Sequence, residues 1–456
     1  MMAAKSEVGL DKEPQSGSGS SGDHALGASP EPITLPSMDF VGFFPEEVTD
    51  MILSLLSSND LENCSSVSQL WSSTIKRFQQ VQISRLKYNW DNGKYSVHCF
   101  PMSDELLYAH CQNVQVLPSN YSYDQFLHYP AFMLKKGTLG PFYFSVVRID
   151  ADLRKTINLC QYSGFLGCIK QVWVMGESVI WLSVNESVGA LHYYNASLSP
   201  NTEMKTIDRW NYFNRNCISL KMDGNYIAVS NNNRYVKAWC KQTLELKLEQ
   251  RCRDNALQQI SLFDGSLVIS NAISSEPTSV IEIHNMKSDS NNRSTLKHTF
   301  TVDGQVQSLL LNRHFIFLNI IVDNKFTQQV RNKQSYSIIY SCMYNSPVPH
   351  EIQSAYDDYI VVLSDDKYRI LNLVTRKRSY IPSDTKKLWT VFDNIAVIRN
   401  RSDKLLQVYD WERNTQLLTL AIPEQISDKY VVASVTESRI VIVDTSSNQV
   451  VVFKFG

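Results

Sequence analysis

The sequence predicts two folds in one chain: a small all-α module near the N-terminus, followed by a long all-β propeller. Between residues 38 and 80 the apolar residues recur with a helical period, and from 81 onward they alternate as in strands. In the second region a turn followed by an apolar run returns roughly every 35 to 50 residues, the interval of four-stranded propeller blades. We therefore predict eight blades over residues 81–456, with seven as the alternative.

Residues 1–37 precede both folds and are rich in serine, glycine and proline. They contain almost no large apolar residues, so burial cannot offset the entropy of ordering them. We predict a disordered tail.

The α-helical module, residues 38–80, is predicted to hold three short helices. Pro45 suits the first turn of the first helix, because its missing N–H would have had no partner there. The apolar stripe of this helix consists of Val48, Met51, Ile52, Leu55 and Leu56. The spacing of Asn59 and Glu62 is that of a capping box, which predicts a second helix from about Asp60 towards Ser68. A third helix follows, with an apolar face made of Leu70, Trp71, Ile75 and Phe78.

Three short helices in about 40 residues bury too little apolar surface to be stable alone, so something must cover their exposed face. The residues at fixed spacing in this module are Pro45, Glu47, Ile52, Leu53, Asp60, Leu61, Val67 and Trp71. In this pattern the module resembles an F-box, although Phe44 stands where leucine is usual and Gln69-Leu70 where a basic residue commonly precedes the tryptophan. The alternative is an ordinary helical subdomain docked on its own chain.

The F-box resemblance implies a partner: a Skp-type adaptor, and through it a cullin-RING ubiquitin ligase. It also implies which residues contact the adaptor, namely Phe44, Pro45, Ile52, Leu53, Leu56, Leu61, Val67 and Trp71.

The β region is predicted to open with a hairpin over residues 86–100, whose turn is Asp91-Asn92-Gly93, since glycine tolerates the positive φ of such turns. The repeated unit then occurs at 175–183, 222–230, 263–270, 311–319, 356–364, 392–400 and 427–435, with a weaker copy at 102–110. The interval 111–168 is predicted to be an irregular first blade or an insertion.

The repeated unit resembles a WD repeat in architecture more than in motif. Val408-Tyr-Asp-Trp411 has the aspartate-tryptophan pair near the usual site, and the glycine-histidine signature is absent. Tryptophans at alternating positions are expected to pack between blades: Trp173, Trp181, Trp239, Trp389 and Trp411.

Composition narrows the functional classes. Lys plus Arg total 44 against 45 for Asp plus Glu, so no global field favours nucleic acid or an anionic membrane. No apolar run is long enough to span a bilayer and no signal peptide is recognisable, so we expect a soluble protein of the cytoplasm, the nucleus or both.

Catalytic and metal-binding motifs are missing from the sequence. The nine histidines form no local pair at metal-ligand spacing and the nine cysteines no CxxC, and no nucleotide-binding or hydrolase signature occurs. Aspartates such as Asp223, Asp264, Asp357 and Asp393 precede strands, where turn geometry explains them. We predict a non-catalytic protein without a metal or cofactor.

A binding face is predicted instead, on the rim formed by the loops between strands. In the WD-repeat arrangement, one face would carry Arg234, Arg251, Arg253, Arg399, Arg401 and Lys404. Such a cluster could bind an acidic or phosphorylated segment, and the alternative is scattered solvated charge.

Three functional hypotheses follow, and the third is a propeller enzyme with an acidic or histidine cluster at its axis. In the first, the chain is the substrate receptor of a Skp/cullin/F-box ubiquitin ligase, with a protein substrate that the sequence does not identify. In the second, it is a propeller scaffold for protein–protein interaction without a ligase role, whose helices pack on the propeller.

Overall fold

In a computed structural model of the chain, four helices lie near the N-terminus: α1 (Phe40–Phe43), α2 (Glu46–Leu53), α3 (Ser58–Ser65) and α4 (Gln69–Asp91). The structure describes residues 40–56, 58–101, 113–116, 131–136, 142–150, 155–164, 168–175, 178–185, 188–195, 204–211, 219–231, 235–251, 258–272, 277–287, 293–323, 325–344, 351–355, 358–364, 367–382, 388–392, 394–399, 404–428, 430–444 and 446–456. The predicted disordered tail lies outside these residues. Two units can be distinguished, Met1–Ile75 and Lys76–Gly456.

Helix α2 begins directly after Pro45, whose carbonyl oxygen accepts hydrogen bonds from the backbone N–H groups of Val48 (3.1 Å) and Thr49 (3.0 Å). It ends at Leu53, before the end of the predicted stripe at Leu56. The hydroxyl of Ser54 donates to the carbonyl oxygen of Met51 (2.7 Å), a local bond that competes with continuation of the helix.

Helices α3 and α4 are separated by a serine-rich turn. Helix α3 ends at Ser65 rather than near Ser68, and the hydroxyl of Ser66 donates to the carbonyl oxygen of Asn63 (2.6 Å). Ser68 is the N-cap of α4, since its Oγ accepts a hydrogen bond from the N–H of Trp71 (3.2 Å). Helix α4 has 23 residues, so the prediction of three short helices is wrong in number and in length.

The predicted hairpin over residues 86–100 is also wrong, because residues 86–91 are the last turns of α4. Gly93 has φ 62°. Its N–H bonds to the carbonyl oxygen of Trp90 (3.3 Å), and the N–H of Lys94 bonds to that of Asn89 (2.8 Å). This is a Schellman motif, so the positive φ of this glycine ends a helix instead of turning a hairpin.

After α4 the described chain forms strands only, arranged in eight four-stranded antiparallel sheets. The first sheet contains β2 (Asn113–Val116), β3 (Ala131–Lys136), β4 (Phe142–Asp150) and β5 (Lys155–Gly164). The second contains β6 (Cys168–Met175), β7 (Ser178–Asn185), β8 (Val188–Asn195) and β9 (Lys205–Asn211). The third contains β10 (Ser219–Met222), β11 (Tyr226–Asn231), β12 (Tyr235–Cys240) and β13 (Leu246–Arg251).

The fourth sheet contains β14 (Gln258–Phe263), β15 (Ser266–Ala272), β16 (Thr278–Asn285) and β17 (Thr295–Asp303). The fifth contains β18 (Gln305–Leu311), β19 (Phe315–Val322), β20 (Lys325–Asn332) and β21 (Ile338–Tyr344). The sixth contains β22 (Glu351–Ala355), β23 (Tyr359–Ser364), β24 (Lys367–Asn372) and β25 (Arg378–Pro382). The seventh contains β26 (Leu388–Phe392), β27 (Ile395–Arg399), β28 (Leu405–Asp410) and β29 (Thr415–Ala421).

The eighth sheet joins the two ends of the β region. It contains β30 (Val431–Val435), β31 (Arg439–Asp444) and β32 (Gln449–Lys454), and its fourth strand is β1 (Ser96–Pro101). Strand β1 pairs antiparallel with β32, with Phe100 opposite Val450. The first strand of the chain therefore completes the last sheet and closes the β region on itself.

Consecutive sheets share hydrophobic cores. One cluster joins the second and third sheets, another the third and fourth, and the series continues to the seventh and eighth. A meander of four strands, repeated and packed face to face with the next sheet, is a propeller-like arrangement. The tryptophans Trp181, Trp239, Trp389 and Trp411 are all buried in it, and the side chain of Trp173 lies outside the described residues.

The repeated sequence unit corresponds to one recurring strand. Six copies, from 175–183 to 392–400, contain the second strand of the second to seventh sheets. The copy at 427–435 instead contains β30, the first strand of the eighth sheet. The weak copy at 102–110 lies outside the described residues, and the interval predicted to be irregular holds the four strands of the first sheet.

Candidate functional site

The eight residues predicted to contact an adaptor differ in exposure. Leu53 is fully buried and Leu61 is 8% exposed, so both lie in the interior of the helical unit. Ile52, Leu56 and Trp71 are half-buried. Phe44, Pro45 and Val67 are exposed. In this structure only the exposed and half-buried members offer surface to a partner, and the adaptor contacts themselves stay a prediction.

The helical unit has more exposed apolar residues than the sequence pattern identified. Phe43, Met51, Leu55 and Leu70 join Phe44 and Val67 in what we call the helical apolar set. Leu55 is 82% exposed and Val67 66%. The missed signal is the early end of α2, which places Leu55 in a turn beyond the helix.

The basic residues predicted on one rim do not form one described cluster. Arg234, Arg253 and Arg401 lie outside the described residues. Arg251 is exposed at the end of β13, in the third sheet, with its guanidinium carbon 5.2 Å from the centroid of the Tyr235 ring. The two remaining members, Arg399 and Lys404, belong to the seventh sheet and the turn that follows β27.

Arg399 and Lys404 brace the link from the seventh to the eighth sheet. The Arg399 guanidinium lies 4.2 Å from the centroid of the Tyr430 ring and donates to the carbonyl oxygen of Asp428 (3.4 Å). The Lys404 ammonium donates to the carbonyl oxygen of Ile426 (2.5 Å) and lies 3.6 Å from the Asp428 carboxylate. Lys404 therefore has a carboxylate partner within the chain, which makes it a poor candidate for capturing an external anion, whereas the contacts given for Arg399 are with neutral groups.

Two of the turn aspartates are explained by turn geometry, as predicted. Asp223 accepts hydrogen bonds from the N–H groups of Asn225 (2.9 Å), Tyr226 (2.8 Å) and Gly265 (2.8 Å), which ties the third sheet to the fourth. Asp264 forms an ion pair with Lys287 (2.9 Å) in a turn where its own φ is 47°. The prediction for Asp357 and Asp393 falls outside the described residues.

A serine–histidine pair lies in the second sheet. Ser183 Oγ is 2.8 Å from His192 Nε2, and Thr206 Oγ1 is 3.2 Å from Nδ1. Burial, with the charge of Arg209 as a smaller contribution, lowers the pKa of His192 to about 4. Ser183 is 3% and His192 2% exposed, so no substrate reaches this pair and its role is to satisfy buried polar groups.

Within the described ranges, no three His, Cys, Asp or Glu side chains converge as metal ligands. None of the helices described is both long and apolar enough to cross a bilayer.

Comparison with protein families assigns the helical unit. The model of the F-box domain matches residues 44–80. Residues 44–80 form an F-box domain. The F-box domain thus contains α2, α3 and the first half of α4, and its exposed members of the helical apolar set are Phe44, Met51, Leu55, Val67 and Leu70. F-box proteins are generally non-catalytic adaptor subunits.

Solved structures similar to the chain are distant. The designed protein Ika8 is 10% identical, with TM-score 0.45, over 70% of this chain and 95% of that chain. BamB from Moraxella catarrhalis is 9% identical, with TM-score 0.44, over 79% of this chain and 100% of that chain. Hsv2 from Kluyveromyces lactis is 10% identical, with TM-score 0.43, over 64% of this chain and 96% of that chain. No curated protein sequence matches the chain.

Proposed function

We propose that the chain is the substrate-recognition subunit of a Skp/cullin/F-box ubiquitin ligase. The F-box domain docks a Skp-type adaptor, and the β region binds the protein to be ubiquitinated. Catalysis is by proximity, because the receptor only holds a substrate lysine near the ubiquitin-charged enzyme of the complex. The observation that carries the proposal is the F-box domain at residues 44–80.

The helical apolar set supports adaptor docking. Among the described residues of the unit that holds its members, Thr49, Leu53, Leu61 and Ile75 are buried. So small an interior leaves large apolar side chains in water, and covering them gains roughly 25 cal/mol for each Å² removed from water. Of the predicted adaptor contacts, Phe44, Pro45 and Val67 are the most accessible, and Leu53 and Leu61 support them from within.

The β region supports substrate binding by its architecture. We propose that its eight sheets are eight blades of a WD-repeat-like propeller, whose inter-strand loops form a rim around an axis. The substrate is an intracellular protein, and the proposal places the chain in the cytoplasm, the nucleus or both. Arg251 stays a candidate contact on that rim.

Co-purification of the full chain with a Skp-type adaptor tests the proposal. Changing Leu55 and Val67 together to glutamate should weaken retention of the adaptor at least about tenfold, because buried charge is costly at an interface core. The matched control is Val81→Glu, since Val81 is 49% exposed and lies just past the F-box domain. The proposal fails if the wild type retains no adaptor, or if the double variant retains as much as the control.

The alternative is a non-ligase scaffold for protein–protein interaction. Hydrogen exchange on the isolated chain separates the two functions. Strong protection of residues 44–80 without any partner favours the scaffold, whereas protection that rises when the adaptor is added favours the ligase subunit.

A further inference from the structure

Five charged side chains are buried in the described part of the chain: Asp223, Lys247, Arg369, Asp410 and Asp444. Four of these charges are stabilised by hydrogen bonds or ion pairs within the chain. Asp223 accepts three backbone N–H groups, Lys247 pairs with Glu245 (3.2 Å), Asp410 lies 3.5 Å from Arg413, and Asp444 accepts hydrogen bonds from Ser427, Ser446 and Ser447. Arg369 is the exception.

Arg369 is 9% exposed and has no carboxylate beside it among the described residues. Its guanidinium donates to the hydroxyl of Tyr344, and its central carbon lies 4.6 Å from the centroid of that ring. The Tyr344 hydroxyl in turn donates to Gln328 Oε1 (2.9 Å). A neutral phenol orients a guanidinium but does not neutralise it, and a buried unpaired charge is strongly unfavourable.

A second guanidinium lies on the same face of the sixth sheet. Strand register places Tyr380 opposite Arg369 and Arg378 opposite Leu371. Leu371 packs in the core shared by the fifth and sixth sheets. Because alternate residues share a face, Arg369, Arg378 and Tyr380 all lie on the face directed towards the fifth sheet.

The fifth sheet presents tyrosines to this face. Tyr340 is opposite Val330, which packs in the same shared core, and Tyr344 lies on the same side of β21 as Tyr340. Burial raises the pKa of Tyr340 to about 12, against the opposing effect of Arg369 and Arg378. Tyr340 is therefore a protonated hydroxyl near two guanidinium groups at neutral pH.

We propose that the surface formed by Arg369, Arg378, Tyr340 and Tyr344, called the groove below, binds a side-chain carboxylate of an acidic segment of a partner protein. The inference rests on the proposed function in that the β region holds a protein. The planar fork of a guanidinium matches a carboxylate with two parallel hydrogen bonds. A single negative charge is enough to neutralise buried Arg369, because Arg378 is exposed and is solvated by water.

The partner segment can approach along a free strand edge. Strand β21 is the terminal strand of its sheet and β25 of the next, so each has an edge without a paired strand in these sheets. Tyr380 is 53% exposed beside the groove and supplies apolar contact surface. An extended acidic segment fits such an edge by strand addition.

The test uses the purified full chain without adaptor and a dye-labelled ten-residue peptide of alternating glutamate and serine. Fluorescence anisotropy should show that this peptide binds at least about tenfold more tightly than its glutamine counterpart, the range expected for charge-assisted bidentate bonds. Arg369→Gln should abolish the difference and Arg378→Gln should reduce it. Arg313→Gln, an exposed arginine at the β18–β19 turn, is the matched control and should leave it unchanged.

Arg369→Lys distinguishes the contribution of the two parallel guanidinium hydrogen bonds from that of the positive charge. It should retain weak preference for the glutamate peptide, because the charge stays but the two parallel hydrogen bonds are lost. The melting temperature of each variant shows whether it is folded. If Arg369→Gln lowers the melting temperature, Arg378→Gln still tests binding, because Arg378 is exposed and its substitution should not unfold the chain.

Four results would overturn the inference. Two concern the peptides already named: the wild type binds the glutamate and glutamine peptides equally, or Arg369→Gln still discriminates between them as the wild type does. The other two concern other ligands: a phosphoserine peptide binds more tightly than the glutamate peptide in a way that depends on Arg369, or vesicles with phosphatidylinositol phosphate bind through Arg369 while the peptides do not bind. Adaptor co-purification is measured separately. If the peptide does not bind the groove, the chain should still retain the adaptor. If the chain does not retain the adaptor, it should still bind the peptide.

Discussion

The helical unit and the β unit differ in the size of their described interiors. Among the described residues of the helical unit, Thr49, Leu53, Leu61 and Ile75 are buried, whereas in the β unit hydrophobic clusters join the second to the eighth sheets in succession. Both units also expose single apolar residues, such as Val67 and Val374 at 66% each. In the β unit the second to eighth sheets cover one another in succession, and the eighth incorporates β1. The helical unit has too few residues to cover its own surface.

The largest expected effect tests how firmly the β unit is closed. The ring of Trp90 stacks on that of Phe455, with the ring centroids 3.6 Å apart. The Trp90 indole N–H donates to the carbonyl oxygen of Glu437 (2.6 Å). Trp90→Ala should reduce the free energy of unfolding by about 3–5 kcal/mol, measured by urea denaturation with tryptophan-independent circular dichroism. A loss below about 1 kcal/mol would contradict the view that this unit buries its own apolar surface.

Substitutions at Leu53 and Leu55 compare the interior of the helical unit with its surface. Leu53→Ala should destabilise the F-box domain by about 2–5 kcal/mol, because Leu53 is fully buried. Leu55→Ser should change stability by less than about 0.5 kcal/mol, because Leu55 is 82% exposed. Hydrogen exchange over α2 measures both. Equal losses would remove the distinction between core and docking surface in this unit.

Low pH should reduce the free energy of unfolding of the β unit, because His192 becomes protonated. Burial lowers the folded-state pKa of His192 to about 4, below the value of 6.5 for a free histidine. The neutral ring therefore stabilises the fold above pH 6.5, and this contribution, on the order of 2–3 kcal/mol, is lost as the pH falls from 6.5 towards 4. Urea denaturation across that window checks it. His192→Gln should show a smaller fall, and an unchanged pH dependence would contradict the assignment.

The smallest effect concerns the end of α4. Gly93 has φ 62°, and a methyl group there would meet only Leu418 at an ordinary 3.8 Å. Gly93→Ala should therefore cost about 1 kcal/mol of backbone strain without a clash. Gly224→Ala is the control, since a methyl group at Gly224 has nothing within 4 Å and its φ is not positive. Thermal melting compares the two. Equal melting temperatures would remove the support for a glycine cap.

Short-range patterns were sufficient for much of the fold. Pro45 at the start of α2 and the repeated turn-plus-strand unit were recognisable because both depend on neighbours within a few residues. Six of the repeated units contain all or most of the second strand of their sheets. These strands were recognisable as continuous apolar runs, because both faces of such a strand are buried, as in β15, β19 and β27. The tryptophans predicted to pack between blades are buried wherever the structure describes their side chains.

The candidate sites were less accessible to sequence reasoning. Three residues of the predicted basic rim lie outside the described chain, and Arg399 and Lys404 have internal partners that only folding reveals. Arg369 lies within an ordinary strand pattern, so nothing marked it in advance. It became a candidate because it is buried and, among the described residues, has no opposite charge beside it.

The sequence alone determined the F-box domain at residues 44–80 and the all-β character of the region after α4, because capping, helical period and strand alternation are local properties. Tertiary structure decided three other features: the extension of α4 to Asp91, the pairing of β1 with β32, and the exposure of Leu55. Each depends on residues far apart in the chain or on how much surface a unit can cover. Asp91-Asn92-Gly93 is a compact example, since the same positive φ serves a hairpin or a helix cap and only the surrounding fold selects between them.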